Sequence, residues 1–185
     1  MSRVAWAGKL RVVTGAALAL LTLGCQAEVK NMIPDDYRSW DKTTDKVLNY
    51  PIPGHENHLR IPYVNPTGEQ PEIGIVGGVK SYSFPKGTII VKEVYDSLSP
   101  DPSSPPTQLT VMVKNPDAPR SRGGWLWIVK DPATGKEIVL QNEFCFTCHA
   151  NANEPHPYGD KNPNREFRDY VFFVYEEAEG NGVEY

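Results

Sequence analysis

Cys145-Phe146-Thr147-Cys148-His149 sets two thiols two residues apart, with an imidazole directly behind them. Residues of these types at this spacing can do three things. The thiols can add to the two vinyl groups of one haem as thioethers, which brings His149 under the iron as an axial ligand. They can cycle as a dithiol pair, which calls for a βαβ setting. They can bind a structural zinc ion, which calls for two further ligands. Cys25 is the only other cysteine, and His156, the candidate to complete a Cys/His set, is held between Pro155 and Pro157. An imidazole adjacent to the second thiol is the attachment signature of haem c, so one covalent haem per chain is the expected cofactor.

Such attachment needs export, and the N-terminus agrees. Arg3, Lys9 and Arg11 precede an uncharged apolar run from Val12 to Leu23. That run has the length of a secretory signal core and is short for a spanning helix. Leu21-Thr22-Leu23-Gly24-Cys25 resembles a lipoprotein cleavage box, with Thr22 where Leu is more usual. Residues 1–24 therefore read as a signal peptide. It is either of the lipoprotein type, with Cys25 lipidated, or an ordinary one cut near Gly24 to Ala27. The expected location is the periplasm or elsewhere outside the cytoplasm of a bacterium. The protein is there either free or anchored to a membrane face by its N-terminal lipid.

Residues 25–185 are expected to form one domain. The net charge of -4 is mild, and no basic cluster suggests nucleic acid. Seventeen prolines and fifteen glycines argue for short elements joined by many turns. Pro34 to Trp40 reads as a helix start, with Tyr37 and Trp40 on one face. Leu59 to Val64 reads as a strand, placed at an edge because Pro62 cannot donate to a ladder. Thr88 to Tyr95 is the strongest strand, fed by a turn at Phe84-Pro85-Lys86-Gly87. Gln108 to Lys114 and Trp125 to Lys130 are further strands. Asp131 to Lys136 is a hairpin turn leading to Glu137 to Leu140. Tyr50 to Glu56 and Ser97 to Thr107 are loops. The pentapeptide opens a short helix ended by Pro155, and Asp169 to Tyr175 is expected as a last strand. The fold class is α+β, a predominantly antiparallel sheet with short helices, carrying one c-type haem. A late attachment site after a run of strands excludes the small helical cytochrome c plan. Long amphipathic helices are missing, which excludes the four-helix-bundle cytochromes.

Taken in order, several segments resemble the cytochrome P-460 family and its relatives, the β-sheet cytochromes c′. These are Tyr37-Arg38-Ser39-Trp40, Leu59 to Pro66, Phe84 to Glu93, Thr110 to Lys114, Gly124-Trp125, the pentapeptide and Tyr170-Val171-Phe172. The resemblance implies an antiparallel sheet carrying the haem, in a homodimer. It implies hydroxylamine oxidation with nitric oxide and nitrous oxide chemistry, and a third protein bond from a lysine amine to a porphyrin carbon.

The lysine that matches is Lys92. Strand parity puts it on one face with Thr88, Ile90 and Val94, leaving Glu93 on the other. A buried lysine holds its neutral, nucleophilic form more readily, whereas one on a surface strand lays its stem along the sheet and its charge in water. Arg60 matches a haem-pocket arginine, with a solvent-facing charge as the alternative. Thr110, sharing a strand face with Met112, stands where some hydroxylamine-oxidising relatives carry a distal carboxylate. A hydroxyl hydrogen-bonds but is no base at neutral pH. The resemblance favours an open sixth position at the iron. By residue type Met32, Met112, His55, His58 and His156 could fill it, although His55 and His58 sit in a turn and read as solvated. Trp125, Trp127, Phe172 and Phe173 are expected to line the haem or the core.

Two function classes follow. One is an enzyme oxidising hydroxylamine at a five-coordinate haem iron, with Lys92, Arg60 and Thr110 in the pocket and a soluble electron acceptor such as another cytochrome. The other is a nitric oxide-binding or electron-transfer protein without turnover.

Overall fold

A computed structural model describes residues 32–101 and 103–175. The expected signal segment, residues 1–24, and Cys25 lie outside the described residues.

Eight strands and one α-helix follow a single 3-10 turn at Tyr37–Ser39. The strands are β1 (Asp41–Lys42), β2 (Leu59–Val64), β3 (Glu72–Val76), β4 (Val79–Ser83), β5 (Ile89–Tyr95), β6 (Gln108–Lys114), β7 (Trp125–Lys130) and β8 (Glu137–Val139). The helix α1 spans Phe144–Ala150 and runs into a 3-10 turn at Asn151–Asn153. Six strands form one sheet in the order β1-β2-β5-β6-β7-β8, every pair antiparallel. β3 and β4 form a separate hairpin between β2 and β5.

The sheet is apolar on both faces, which explains the near-continuous runs of β5, β6 and β7. On one face Tyr63, Val91, Leu109, Val111, Leu126 and Ile128 pack with Tyr37 and Ile33. Val91 is fully buried and Ile128 is 1% exposed. Side chains removed from water to this degree contribute about 1.5–3 kcal/mol each. The same face buries Glu93, whose carboxylate accepts hydrogen bonds from Tyr37 Oη (2.7 Å), Arg38 Nε (2.6 Å) and Tyr95 Oη (2.8 Å). On the other face Val64, Ile90, Met112, Trp125 and Trp127 pack against Val171, Phe146 and Tyr170. Register runs Val64–Ile90–Met112–Trp127 in one cross-strand row and Pro62–Lys92–Thr110 in the next. Neighbours in such a row lie within side-chain reach.

Three expectations are corrected, and one element was not expected. Asp169 to Tyr175 is not a strand but a chain of turns and bends. Its alternating aromatics look like a strand, yet Asp169 and Tyr170 take positive φ, which breaks any ladder. β2 is not an edge strand, because β1 pairs with it on its outer side. Pro62 is tolerated there because its carbonyl accepts from Thr43 N at 3.1 Å. Its missing N–H therefore faces the two-residue β1 and not β5. Pro34 to Trp40 yields one 3-10 turn in place of a helix, with Tyr37 buried by its contact with Tyr63. The β3–β4 hairpin was not anticipated from the sequence. Ile73, Ile75 and Val76 on it are all more than half exposed and Tyr82 alone is buried, so no alternating buried face marks it.

Candidate functional site

A cavity lies on the face of the sheet that bears Lys92. It is open to one side and lined mainly by apolar side chains. Its floor is Ile90, Lys92, Thr110, Met112 and Trp127 from β5, β6 and β7. One wall is α1, where Cys145, Cys148 and His149 stand at i, i+3 and i+4 and so share a helix face. All three line the cavity. The roof is the irregular segment between Thr43 and His55, together with Phe172 and Phe173.

α1 is only seven residues long and has no side-chain N-cap. Packing holds it, through Cys145 and Phe146 against the Trp125 and Trp127 cluster. Gly54 fits the roof to it. Its φ of +79° suits glycine, and a Cβ there would lie 3.2 Å from the Phe144 ring.

His149 is tightly oriented. Its ring meets Trp127 at 4.9 Å and Phe172 at 5.3 Å, both edge-to-face. Nδ1 lies 2.8 Å from the Tyr170 carbonyl oxygen. A carbonyl only accepts, so Nδ1 carries the proton and Nε2 keeps a lone pair. Burial, helped by the Lys92 charge, holds the imidazole pKa down to about 3. The ring is therefore neutral at neutral pH, the form in which it can bind a metal.

Lys92 lies beside these groups. Burial and, secondarily, Arg60 pull its pKa down from 10.5 to about 8, while the two thiols act the other way. Its Nζ is 3.1 Å from His55 Nε2. Burial is the main cause that holds His55 at about 3, followed by the charge on Lys92. Nδ1 of His55 is buried without a partner, as is Thr110 Oγ1. Such orphaned atoms mark a polar position that the protein itself does not satisfy.

Arg60 is 3% exposed, which removes the alternative of a solvent-facing charge. Its Nε donates to Leu48 O at 3.0 Å and its Nη2 to Tyr50 O, with the guanidinium 4.9 Å from the Tyr50 ring. Arg60 thus pins the roof to β2.

The structure therefore gathers Lys92, Arg60, Thr110, Cys145, Cys148 and His149 around one space. Of the candidate sixth ligands, Met112 and His55 reach it. Met32 packs on the opposite face of the sheet. His58 pairs with Asp96 at 3.2 Å, and His156 stacks on Tyr158. His55 corrects the solvated-turn reading, because its ring lines the cavity with Nε2 against the Lys92 amine. The Tyr170 carbonyl was missed altogether, since no side-chain type announces a backbone acceptor. No aspartate or glutamate is among the described residues lining the cavity.

The alternatives for the pentapeptide fare poorly. The sheet is wholly antiparallel and supplies no βαβ unit for a dithiol pair. Among the described residues no group of three or more His, Cys, Asp or Glu could hold a metal ion directly, which leaves zinc without a ligand set. Two thiols and a neutral imidazole on one helix face, against a mostly apolar cavity, suit a haem. A family model described as Cytochrome P460 matches residues 34–173. No curated protein matches the chain.

Proposed function

We propose that this chain, which belongs to the cytochrome P460 family and so to the haem cytochromes, is an exported c-type cytochrome that oxidises hydroxylamine. Cys145 and Cys148 would hold the haem by adding their thiols to its vinyl groups, and His149 Nε2 would ligate the iron. The Lys92 nitrogen would replace one porphyrin C–H hydrogen, the two electrons and protons released passing to an external two-electron oxidant. When bound, the haem would supply a redox-active iron able to accept electrons from a small nitrogen compound.

The observation that carries this reading is the placement of the Lys92 amine, the His149 imidazole and both thiols around a single cavity. The chain's own residues divide the work. Tyr170 O fixes the His149 tautomer. Burial favours the neutral amine of Lys92, and the neutral form is the nucleophile. Arg60 holds the roof, and the apolar floor restricts water. Thr110 Oγ1 can hydrogen-bond a small ligand but cannot take its proton at neutral pH. With no carboxylate lining the cavity, the base nearest Lys92 is His55. The electrons leave to a soluble acceptor such as another cytochrome. The signal sequence supports a periplasmic protein, free or lipid-anchored through Cys25, and the family supports a homodimer.

The absent carboxylate favours a second reading, in which the same haem site binds nitric oxide or passes electrons without turnover. Protein matured with cytochrome c machinery separates the two. The enzyme reading expects a red-shifted ferrous Soret band and reduction of an added acceptor by hydroxylamine. An ordinary haem c band with no acceptor reduction would overturn it in favour of the second. A colourless protein would overturn both.

A further inference from the structure

The segment Arg168 to Val171 is held in an unusual backbone conformation. Asp169 and Tyr170 are consecutive non-glycine residues at φ +49° and +69°. Tyrosine visits this left-handed region rarely. Strain of this kind persists only where the surroundings over-determine it.

Here they do. Asp169 is 4% exposed. Its carboxylate accepts from Lys114 Nζ at 2.7 and 2.6 Å and from the Phe84 N–H at 3.0 Å. Its carbonyl accepts from Trp125 Nε1 at 2.9 Å. Asn153 Oδ1 accepts the N–H groups of Arg168 (2.8 Å) and Tyr170 (3.2 Å). The Tyr170 ring lies against the bare backbone of Gly123, where a Cβ would come within 2.6 Å of it. What this strained turn delivers is the Tyr170 carbonyl, 2.8 Å from His149 Nδ1.

We infer that Asp169, with Lys114 as its counter-ion, is a positioning residue for His149. It holds the Tyr170 carbonyl on Nδ1 and so sets how strongly the imidazole donates through Nε2. This rests on His149 being the axial ligand. A firm Nδ1–H bond raises the basicity of the ligand. A more basic ligand stabilises ferric over ferrous iron and lowers the reduction potential. Loosening the clamp should therefore raise the potential and weaken the iron–imidazole bond.

The test uses the haem-loaded protein and two readouts other than turnover, the midpoint potential and the iron–imidazole stretching band of the ferrous form. Asp169→Asn keeps a residue that tolerates positive φ but loses the ion pair. Lys114→Met strips the same clamp from its other side. Each is expected to shift the one-electron equilibrium about threefold towards ferrous, ~28 mV upward at 59 mV per tenfold, and to lower the stretching frequency. Lys114→Met separates the clamp from charge acting through space, because loss of a positive charge alone would lower the potential. A lower potential with an unmoved stretch overturns the inference, as does no change in either variant. If these variants do not accumulate, the charge-neutral Asn153→Ala carries the same two expectations. Wild-type protein with no iron–imidazole band would overturn the ligation reading, and the clamp with it.

Discussion

Replacing Lys92 by methionine turns burial of its amine into a measurement. In a chain whose amine is free, the folded pKa is about 8 against 10.5 in the unfolded state. Between those values the unfolded chain binds a proton that the folded chain does not, so stability rises with pH through that window. Below pH 8 both states are protonated, and the folded state carries the full penalty. The lowering from 10.5 to about 8, at 1.36 kcal/mol per unit, sets it at no more than about 3 kcal/mol. Methionine has a similar length and no charge. Against a free amine, Lys92→Met should therefore be the more stable by up to ~3 kcal/mol at pH 7, and the gap should close towards pH 10.5. Against an amine bonded to the porphyrin the expectation differs, because that nitrogen titrates in neither state and the gap stays flat. The proposed function predicts the flat gap, together with loss of the red-shifted ferrous band in the variant. Guanidinium unfolding of both haem-loaded proteins at several values between pH 7 and pH 10 measures it. A gap that closes across this range, with an ordinary haem c band in the wild type, would show a free amine and refute the bond.

Three further outcomes are expected. The His55 pKa is held at about 3, whereas the unfolded chain protonates near 6.5. Stability is thus lost as pH falls from 6.5 towards 3, and His55→Gln should make that slope shallower by up to about 1.4 kcal/mol per pH unit in urea titrations. Trp127 is 4% exposed and its ring abuts His149. Trp127→Ala should lower stability by about 3–5 kcal/mol in thermal unfolding and broaden the spectral signature of the axial imidazole. Glu93→Gln removes the charge that three donors share on the opposite face. It should lower stability by about 2–3 kcal/mol and leave the haem spectrum unmoved. A changed spectrum would show that the two faces of the sheet are coupled.

What the sequence revealed depended on how local the signal was. β2, β6 and β7 are bounded as their branched and aromatic runs suggest, because each run ends at a proline, glycine or polar turn. Parity on β5 separated Lys92 from Glu93 correctly: one faces the cavity, and the other is locked among tyrosines. Side-chain type was enough to single out Cys145, Cys148 and His149, which fall at helical spacing on α1. Tertiary context decided the rest. The hairpin of β3 and β4 carries isoleucines that stay exposed and buries only Tyr82, so its pattern has no alternating buried face to read. His55 faces inward onto Lys92, 37 residues away in sequence, a contact that no local pattern reports. The stretch from Asp169 reads as a strand by composition, yet its backbone is fixed by Lys114, Trp125 and Asn153, residues remote in sequence. No windowed property of a chain reports a carbonyl that is aimed by such partners.

The order of the elements along the chain also bears on maturation. Every strand of the six-stranded sheet precedes Phe144, and the turn that grips the imidazole follows Asn153. If the chain is exported from its N-terminus as proposed, the sheet wall that would face the macrocycle is translated and delivered first. The two sulfurs arrive next, and the latch at Asp169 comes last. Under the proposed attachment, the thiols would then be reached before the final turn closes, and its closure would seal the product in place.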